Sequence, residues 1–384
     1  MIEKRLQRLH QQQAAHGLDY VALMPGANLR YLTGLNLYLF ERPIVFFFPR
    51  EGRPAAIVPT LEVPRVEADL PFEAELFVYS DEEGHQPAFE RACRALNLPG
   101  KRLGVEFLNM RVLELKQLEK YAPGCQTLDA GGVLSQLRMT KGAEEIEYMR
   151  QAIRITEQAL QQVADFIQPD RTDSETVAEL KIAFLRAGAE GMSFEPIVGV
   201  GPDSASSHVV PSGRVIEPCD LIVIDCGVTY QGYIADITRT FAVGPVAPQW
   251  ERVYEIVKEA NAAGRAAVRP GVPAQEVDRA ARQVIAQAGY GEYFVHRTGH
   301  GLGLEVHEPP YIVEGNEELL QAGMTFTVEP GIYLPGQGGV RIEDDVLVTS
   351  QGAETLTTFP RDQFIVKGQQ LPSRSAGLPN PGPK

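Results

Sequence analysis

Five side chains are of types that bind hard metal ions and are spaced so as to meet: Asp225, Asp236, His300, Glu329 and Glu343. The four acids form two pairs, each on a strand-like segment that turns back on itself. In LIVIDCGVTYQGYIADITRTF (221–241), Gln231-Gly232 reads as a two-residue hairpin turn. That register sets Tyr230 opposite Tyr233 and Gly227 opposite Asp236. Asp225 then shares a face with Asp236 as its diagonal neighbour, within about 7–8 Å. Gly227 is expected to leave the face between them open. In FTVEPGIYLPGQGGVRIEDDVLV (326–348), a five-residue loop at 334–338 sets Tyr333 opposite Gly339 and Glu329 opposite Glu343. Like charges face to face destabilise a sheet. Two carboxylates in an apolar hairpin are costly unless something positive neutralises them. A bound cation turns that penalty into coordination. Arg341, on the same strand as Glu343, could add one more positive charge.

A cation held this way wants a further ligand. The segment HRTGHGLGLEVHEPP (296–310) offers histidines at 296, 300 and 307. His300 lies among Gly299, Gly301 and Gly303, where backbone can approach closely. The glycine spacing is a poor nucleotide signal, because no helix pattern and no phosphate-binding lysine follow. An isolated histidine is ordinarily a surface or satisfied core residue. Beside four strand-borne acids, the ligand role is the better expectation. Four carboxylates and one imidazole form an oxygen-rich set suited to Mn²⁺, Mg²⁺ or Fe²⁺, with Co²⁺ also compatible, rather than to a thiolate zinc site. Four acids exceed what one catalytic zinc needs and fit two bridged ions about 3.5–4 Å apart. Such a pair generates a hydroxide nucleophile at neutral pH and polarises a carbonyl, which implies metal-assisted hydrolysis of an amide or ester.

The chain is large enough to position such a set. Its 384 residues exceed one ordinary domain of about 100–150 residues and suit two. Apolar residues, at 44%, can fill sizeable cores. A net charge of −14 argues against nucleic acid or an anionic membrane as the main partner. The cysteines at 93, 125, 219 and 226 form no C-x-x-C pair, which points to a reducing, cytoplasmic setting. The N-terminal MIEKRLQRLHQQQ has no apolar core of a signal peptide. The apolar run 44–48 is far short of the roughly 20 residues that span a bilayer.

Residues 3–16 read as a helix, followed by strands at 19–23, 44–48, 55–58, 75–78 and 102–106 and helices at 86–96 and 110–120. This α/β pattern ends near 132–141. Beyond it, helical patterns at 143–167 and 174–187 lead to the first acid pair, and patterns at 250–268 and 273–288 lead to the second. The acids recur at offsets of 329 − 225 = 104 and 343 − 236 = 107. This order suggests a duplicated unit folded face to face with the acids in the middle; chance alternation of helices and strands is the alternative. The stretch 368–384 is rich in Pro, Gly and Ser and reads as a tail.

The pattern resembles the pita-bread metallopeptidases, the family of aminopeptidase P, prolidase and methionine aminopeptidase. The resemblance rests on Asp225 and Asp236 in IDCGVTYQGYIADITRTF, His300 in GHGLGLEVHEPP, Glu329 in TFTVEPGIY and Glu343 in RIED. It spans roughly 138–367. The first 130 residues, with NLRYLTG at 28–34, are similar to the N-terminal domain of the Xaa-Pro branch, which methionine aminopeptidases lack. The resemblance implies an α/β (α+β) fold: an N-terminal α/β domain at 1–135, a pseudo-twofold pita-bread catalytic domain at 138–367 and a flexible tail at 368–384. It implies two divalent ions per subunit, manganese first, with cobalt, iron or zinc as alternatives. Asp225 would hold one ion, Asp236 and Glu343 would bridge, and His300 and Glu329 would hold the other. His208 and His307 fall where the family has active-site histidines outside the ligand set. With them, Glu329 and Arg341 complete the expected catalytic group, and Arg341 and Tyr230 would support the carboxylates.

The implied activity is hydrolysis of the bond before proline, in peptides with proline at the second position, by a cytoplasmic homodimer in which Tyr38 and Phe40 could border a partner's active site. Some prolidase-like relatives carry an arginine after the H-E-x-P segment. Here HEPPY places Tyr311, with no base before Arg341. The sequence therefore leans to an Xaa-Pro aminopeptidase acting on three or more residues, with an Xaa-Pro dipeptidase (prolidase) as the alternative. A metal-free hydrolase like creatinase and a non-enzymatic binding module share the fold, but the complete ligand set argues against both.

Overall fold

The computed structural model describes residues 2–362 and the backbone of 365–366; the tail expected at 368–384 lies outside the described residues. Two compact units divide between Thr140 and Lys141.

The first unit runs α1 (Ile2–His16), β1 (Tyr20–Leu23), α2 (Ala27–Thr33), β2 (Val45–Pro49), β3 (Ala55–Pro59), α3 (Val63–Asp69), β4 (Glu75–Tyr79), α4 (Gln86–Ala95), β5 (Arg102–Val105), α5 (Val112–Tyr121), β6 (Gln126–Asp129) and α6 (Gly131–Arg138). Its six-stranded sheet has the order β4-β3-β2-β1-β5-β6. β2, with its run of phenylalanines, is central and buried along its length, as a near-continuous apolar strand must be. β6 was not expected from the sequence. Its QTLD holds one apolar residue at a half-exposed sheet edge, so it carries no period-two signal.

The second unit opens with α7 (Ala143–Phe166) and α8 (Asp173–Arg186), then β7 (Gly191–Met192), β8 (Ile197–Val200), β9 (Leu221–Cys226), β10 (Val228–Tyr230), β11 (Tyr233–Ile234) and β12 (Ile237–Val243). The order repeats with α9 (Pro248–Ala267), α10 (Ala274–Gln287), β13 (Gly299–Gly301), β14 (Glu308–Ile312), β15 (Thr325–Val328), β16 (Gly331–Leu334), β17 (Gly338–Arg341), β18 (Asp344–Val348), β19 (Ala353–Thr355) and β20 (Ile365–Val366). α7 and α8 bury Ile153, Leu160 and Phe184 in one core with strands β8, β9 and β12. α9 and α10 bury Val253, Val257 and Ile285 in another with strands of the second hairpin, through Ile332 and Val340. Each half thus lays a helix pair on the strands that carry its two acids.

Both hairpin registers agree with those read from the sequence. Tyr230 pairs with Tyr233, and past a bend Asp225 pairs with Thr238. Tyr333 pairs with Gly339, and Val328 with Asp344, so Glu329 and Glu343 stand opposite. Two details differ. Pairing continues to Leu334–Gly338, leaving three loop residues rather than five. Gly227 does not open space between the aspartates: a Cβ there would lie 1.8 Å from the Ala235 carbonyl oxygen. It marks the bend where the hairpin passes from the β11-β10-β7 sheet to the sheet of β9 and β12.

The two hairpins meet along β12 and the β17–β18 segment. The Glu343 N–H donates to the Thr238 carbonyl (3.1 Å), and the Thr238 hydroxyl donates to Glu343 Oε2 (2.6 Å). The Arg341 N–H donates to Thr240 Oγ1 (3.1 Å), and the Asp236 N–H donates to Asp345 Oδ2 (3.1 Å).

Candidate metal centre

A pocket of about 790 Å³ lies over this junction, and Asp225, Asp236, His300, Glu329 and Glu343 all line it. Asp236, His300 and Glu343 each offer a donor atom within 4.8 Å of the others. His300 Nε2 lies 3.4 Å from Glu329 Oε1 and 3.8 Å from Asp236 Oδ2. These are not ion pairs at neutral pH. Burial, then the neighbouring His307, pushes the His300 pKa down to about 3. Its Nδ1–H faces the Gly301 carbonyl at 3.2 Å, which leaves the Nε2 lone pair aimed at the carboxylates. Lone pair against carboxylate is a repulsive arrangement that a cation between them reverses.

The acids have the same deficit. Asp225 Oδ1 and Asp236 Oδ1 are buried and find no hydrogen-bond partner. Burial, then Glu343 and Asp225, pushes Asp236 well above the usual carboxylate range. Burial, then Glu329 and Asp225, does the same to Glu343. Burial raises Glu329 to about 7, although Arg341 opposes the rise. Arg341 is hydrogen-bonded to one of the four acids, Asp225. The donor set, hard oxygens and one neutral imidazole, fits divalent ions, and the orphaned oxygens are where such ions would be held.

Arg341 is buried and fully committed. Its Nη2 donates to Asp225 Oδ2 (2.6 Å), Nε to Thr238 Oγ1 (3.0 Å) and Nη1 to the Tyr333 oxygen (2.9 Å). The Tyr333 hydroxyl in turn meets His296 Nε2 at 2.8 Å, and His296 Nδ1 meets the Arg297 carbonyl at 2.7 Å. Burial and Arg341 lower His296 to about 4, so the ring is neutral, donating from Nδ1 and accepting at Nε2. Tyr333 and His296 were missed as supports; the role was expected of Tyr230. That expectation is corrected: Tyr230, near the hairpin tip, packs its ring against Tyr148 at 6.3 Å and is not among the pocket-lining residues. The helices supply the rest. Asn261 on α9 donates to the carbonyls of Val328 (2.9 Å) and Ile342 (3.3 Å), the residues just before Glu329 and Glu343.

His307 and His208 also line the pocket. The His307 ring stands edge-on to His300, centroids 4.2 Å apart at 85°. Burial and Arg297 lower its pKa, so at neutral pH it is an uncharged donor or acceptor. The next residue, Glu308, forms a buried pair with Lys141 (2.6 Å), which anchors the loop. His208 is exposed at the rim, with Ser207 Oγ 3.4 Å from its Nδ1. Arg297 is a further pocket residue that the sequence reading passed over.

A pocket floored by buried acids and one neutral imidazole defines a metal-dependent hydrolase, and the comparisons agree. Residues 5–140 match the creatinase/prolidase N-terminal domain, and residues 147–350 match metallopeptidase family M24. The chain belongs to metallopeptidase family M24 and is a metal-dependent peptidase of the pita-bread, Xaa-Pro branch. Over 95% of its length it is similar to a prolidase from Thermococcus sibiricus, at 36% identity and TM-score 0.91, covering 99% of that chain. It is similar to dipeptidase PepE from Mycobacterium ulcerans at 37% identity and TM-score 0.87, covering 95% of this chain and 98% of that one. An X-Pro aminopeptidase from Thermotoga maritima is 32% identical with TM-score 0.83, covering 94% and 99%.

Proposed function

We propose that this peptidase is an Xaa-Pro dipeptidase that binds two divalent ions, manganese foremost, through Asp225, Asp236, His300, Glu329 and Glu343. The observation that carries the choice of dipeptidase is the full-length likeness to solved enzymes described as a prolidase and a dipeptidase. It displaces the aminopeptidase lean, which rested on the missing base at Tyr311. When bound, the ions would activate water and polarise the scissile carbonyl. The chain's own residues do the remainder. His307 and His208 line the pocket as hydrogen-bonding groups for substrate oxygens or the leaving nitrogen. Arg341 with Tyr333 fixes Asp225 in position.

The setting is a cytoplasmic homodimer. All four cysteines are free, and no helix among the described residues is long and apolar enough to cross a membrane. In the first unit, Tyr38 (58%) and Phe40 (59%) are exposed side by side, as are the successive residues Phe107 and Leu108, apolar side chains of the kind a partner covers. Light scattering at micromolar protein is expected to give a dimer; a fully active monomer refutes it.

The deciding assay compares Ala-Pro with Ala-Pro-Ala on manganese-loaded enzyme. A kcat/KM at least about tenfold higher for the dipeptide, some 1.4 kcal/mol of transition-state binding, is expected. The reverse preference restores the aminopeptidase reading.

A further inference from the structure

Cleaving dipeptides poses a recognition task that longer substrates do not. The free C-terminal carboxylate lies beside the scissile bond and calls for a cation, best a planar fork of N–H donors. Two guanidiniums line the pocket. Arg341 is spent on Asp225, Tyr333 and Thr238. Arg297 is not: it is half-buried, and among the described residues its guanidinium has neither a carboxylate nor a carbonyl partner. Its side-chain contact is with Tyr311, whose ring centroid lies 4.6 Å from the guanidinium carbon.

That contact answers the puzzle of the sequence HEPPY. β13 and β14 pair so that Tyr311 stands directly opposite His300. The tyrosine at this place does not neutralise a carboxylate; it is the platform on which Arg297 stacks. Stacking occupies one face of the guanidinium and leaves its in-plane N–H groups free, the arrangement that binds carboxylate in two-pronged fashion. The charge is felt where the chemistry occurs, since it acts on His300, His307 and Glu329.

The backbone around Arg297 is held on both sides. Arg282 on α10 donates to the carbonyls of Phe294 (2.9 Å) and His296 (2.8 Å). Asp278, one turn earlier, accepts from the Thr298 N–H (3.1 Å). A free cation on a pinned loop at the wall of an acidic pocket is pre-organised for an anion, because little ordering remains to be done on binding.

We propose that Arg297, stacked on Tyr311, binds the C-terminal carboxylate of an Xaa-Pro dipeptide and so sets substrate length. The proposal rests on the dipeptidase reading above. In a longer peptide the carboxylate moves away, and Arg297 faces a neutral amide it cannot neutralise.

The test uses full-length, manganese-loaded enzyme with Ala-Pro, its C-terminal amide and Ala-Pro-Ala. Wild type is expected to favour Ala-Pro over the amide by at least about tenfold. Arg297→Ala should lower kcat/KM for Ala-Pro by about 30- to 100-fold, mainly through KM, the worth of one charge-assisted pair. The amide should change by less than about threefold, and Arg297→Lys should recover part of the loss. Calorimetric affinity for a reduced-amide Ala-Pro analogue, against its carboxamide twin, should fall by the same ratio without turnover. Tyr311→Leu should give a smaller loss confined to the carboxylate ligands, and it carries the test if Arg297→Ala does not fold. Equal losses on acid and amide, or an unchanged preference in Arg297→Ala, overturn the assignment of Arg297 alone. A wild-type preference for Ala-Pro-Ala overturns the dipeptidase reading and this proposal with it.

Discussion

Glu343 and Asp344 are neighbours in sequence and both are buried, yet they sit in opposite electrostatic worlds. Around Asp344 the chain supplies its own cations: Arg239 Nη2 at 2.9 Å, Arg361 Nε at 2.7 Å and Arg265 Nε at 3.5 Å, with a hydrogen bond from Thr357 Oγ1 at 2.8 Å. Burial alone would raise this carboxyl; Arg239 and Arg361 outweigh burial and hold it at about 2. Around Glu343 lie Asp225, Asp236 and Glu329, a neutral imidazole and Arg341, and the Asp236 and Glu343 carboxyls are pushed up. An acid that serves the fold is balanced from within. A cluster left short of positive charge is held open for a cation from outside.

The comparison can be broken at either end. The largest effect is expected from emptying the unbalanced cluster. Chelation should abolish activity and added Mn²⁺ should restore it, whereas Asp236→Ala should stay inactive at any manganese concentration. Full activity in protein shown by elemental analysis to be metal-free would sink the whole reading.

Next is a residue beside the cluster but outside it. His307→Ala should keep its metal content and lose about 10²- to 10⁴-fold in kcat. Normal kcat with normal KM would remove His307 from the active group.

The third comparison pits the two neighbours against each other in urea unfolding of stripped protein. Asp344→Asn leaves Arg239 buried beside a lost partner and should cost about 3–5 kcal/mol. Glu343→Gln removes a buried carboxyl crowded by Glu329 and Asp225 and should be neutral or stabilising. Equal destabilisation by both would erase the distinction between the two acids.

The smallest effect is in pH dependence, where the two sides have opposite signs. Glu329 titrates at about 7 in the folded, metal-free chain against 4.5 ordinarily, so it binds its proton more tightly when folded. Stripped protein should therefore lose stability as pH rises from about 4.5 through 7, and Mn²⁺ should cancel that loss. Asp344, held near 2 against 3.8, contributes stability above 3.8 that is lost as pH falls toward 2. Stripped protein that is more stable at pH 7 than at pH 5 would count against the acid cluster as described.

Much of the site was legible because its signals are local. Gln231-Gly232 fixes a two-residue turn, and the two-residue period then carries the pairing as far as Asp225 and Thr238. The second hairpin works alike from its Gly-rich loop to Glu329 and Glu343. The helical patterns preceding each hairpin became α7, α8, α9 and α10. The errors came where a residue's task depends on something distant. Gly227 looked like an opening but accommodates the Ala235 carbonyl at a change of sheet. Tyr230 looked like a support, but its hairpin tip turns toward Tyr148, and Tyr333 does that work through Arg341.

By itself, then, the sequence determined the acid and histidine side chains available to a metal, the pairing of the acids within each hairpin and the helices behind them, because turn chemistry and side-chain period act over a few residues. Only the tertiary structure decided that Thr238 would join Glu343, that Tyr333 would hold Arg341, and that Arg297 would rest on the ring of Tyr311. Those are matters of which charges end up neutralised by which neighbours, and Coulomb interactions in a buried site depend on distance through space, which separation along the chain does not encode.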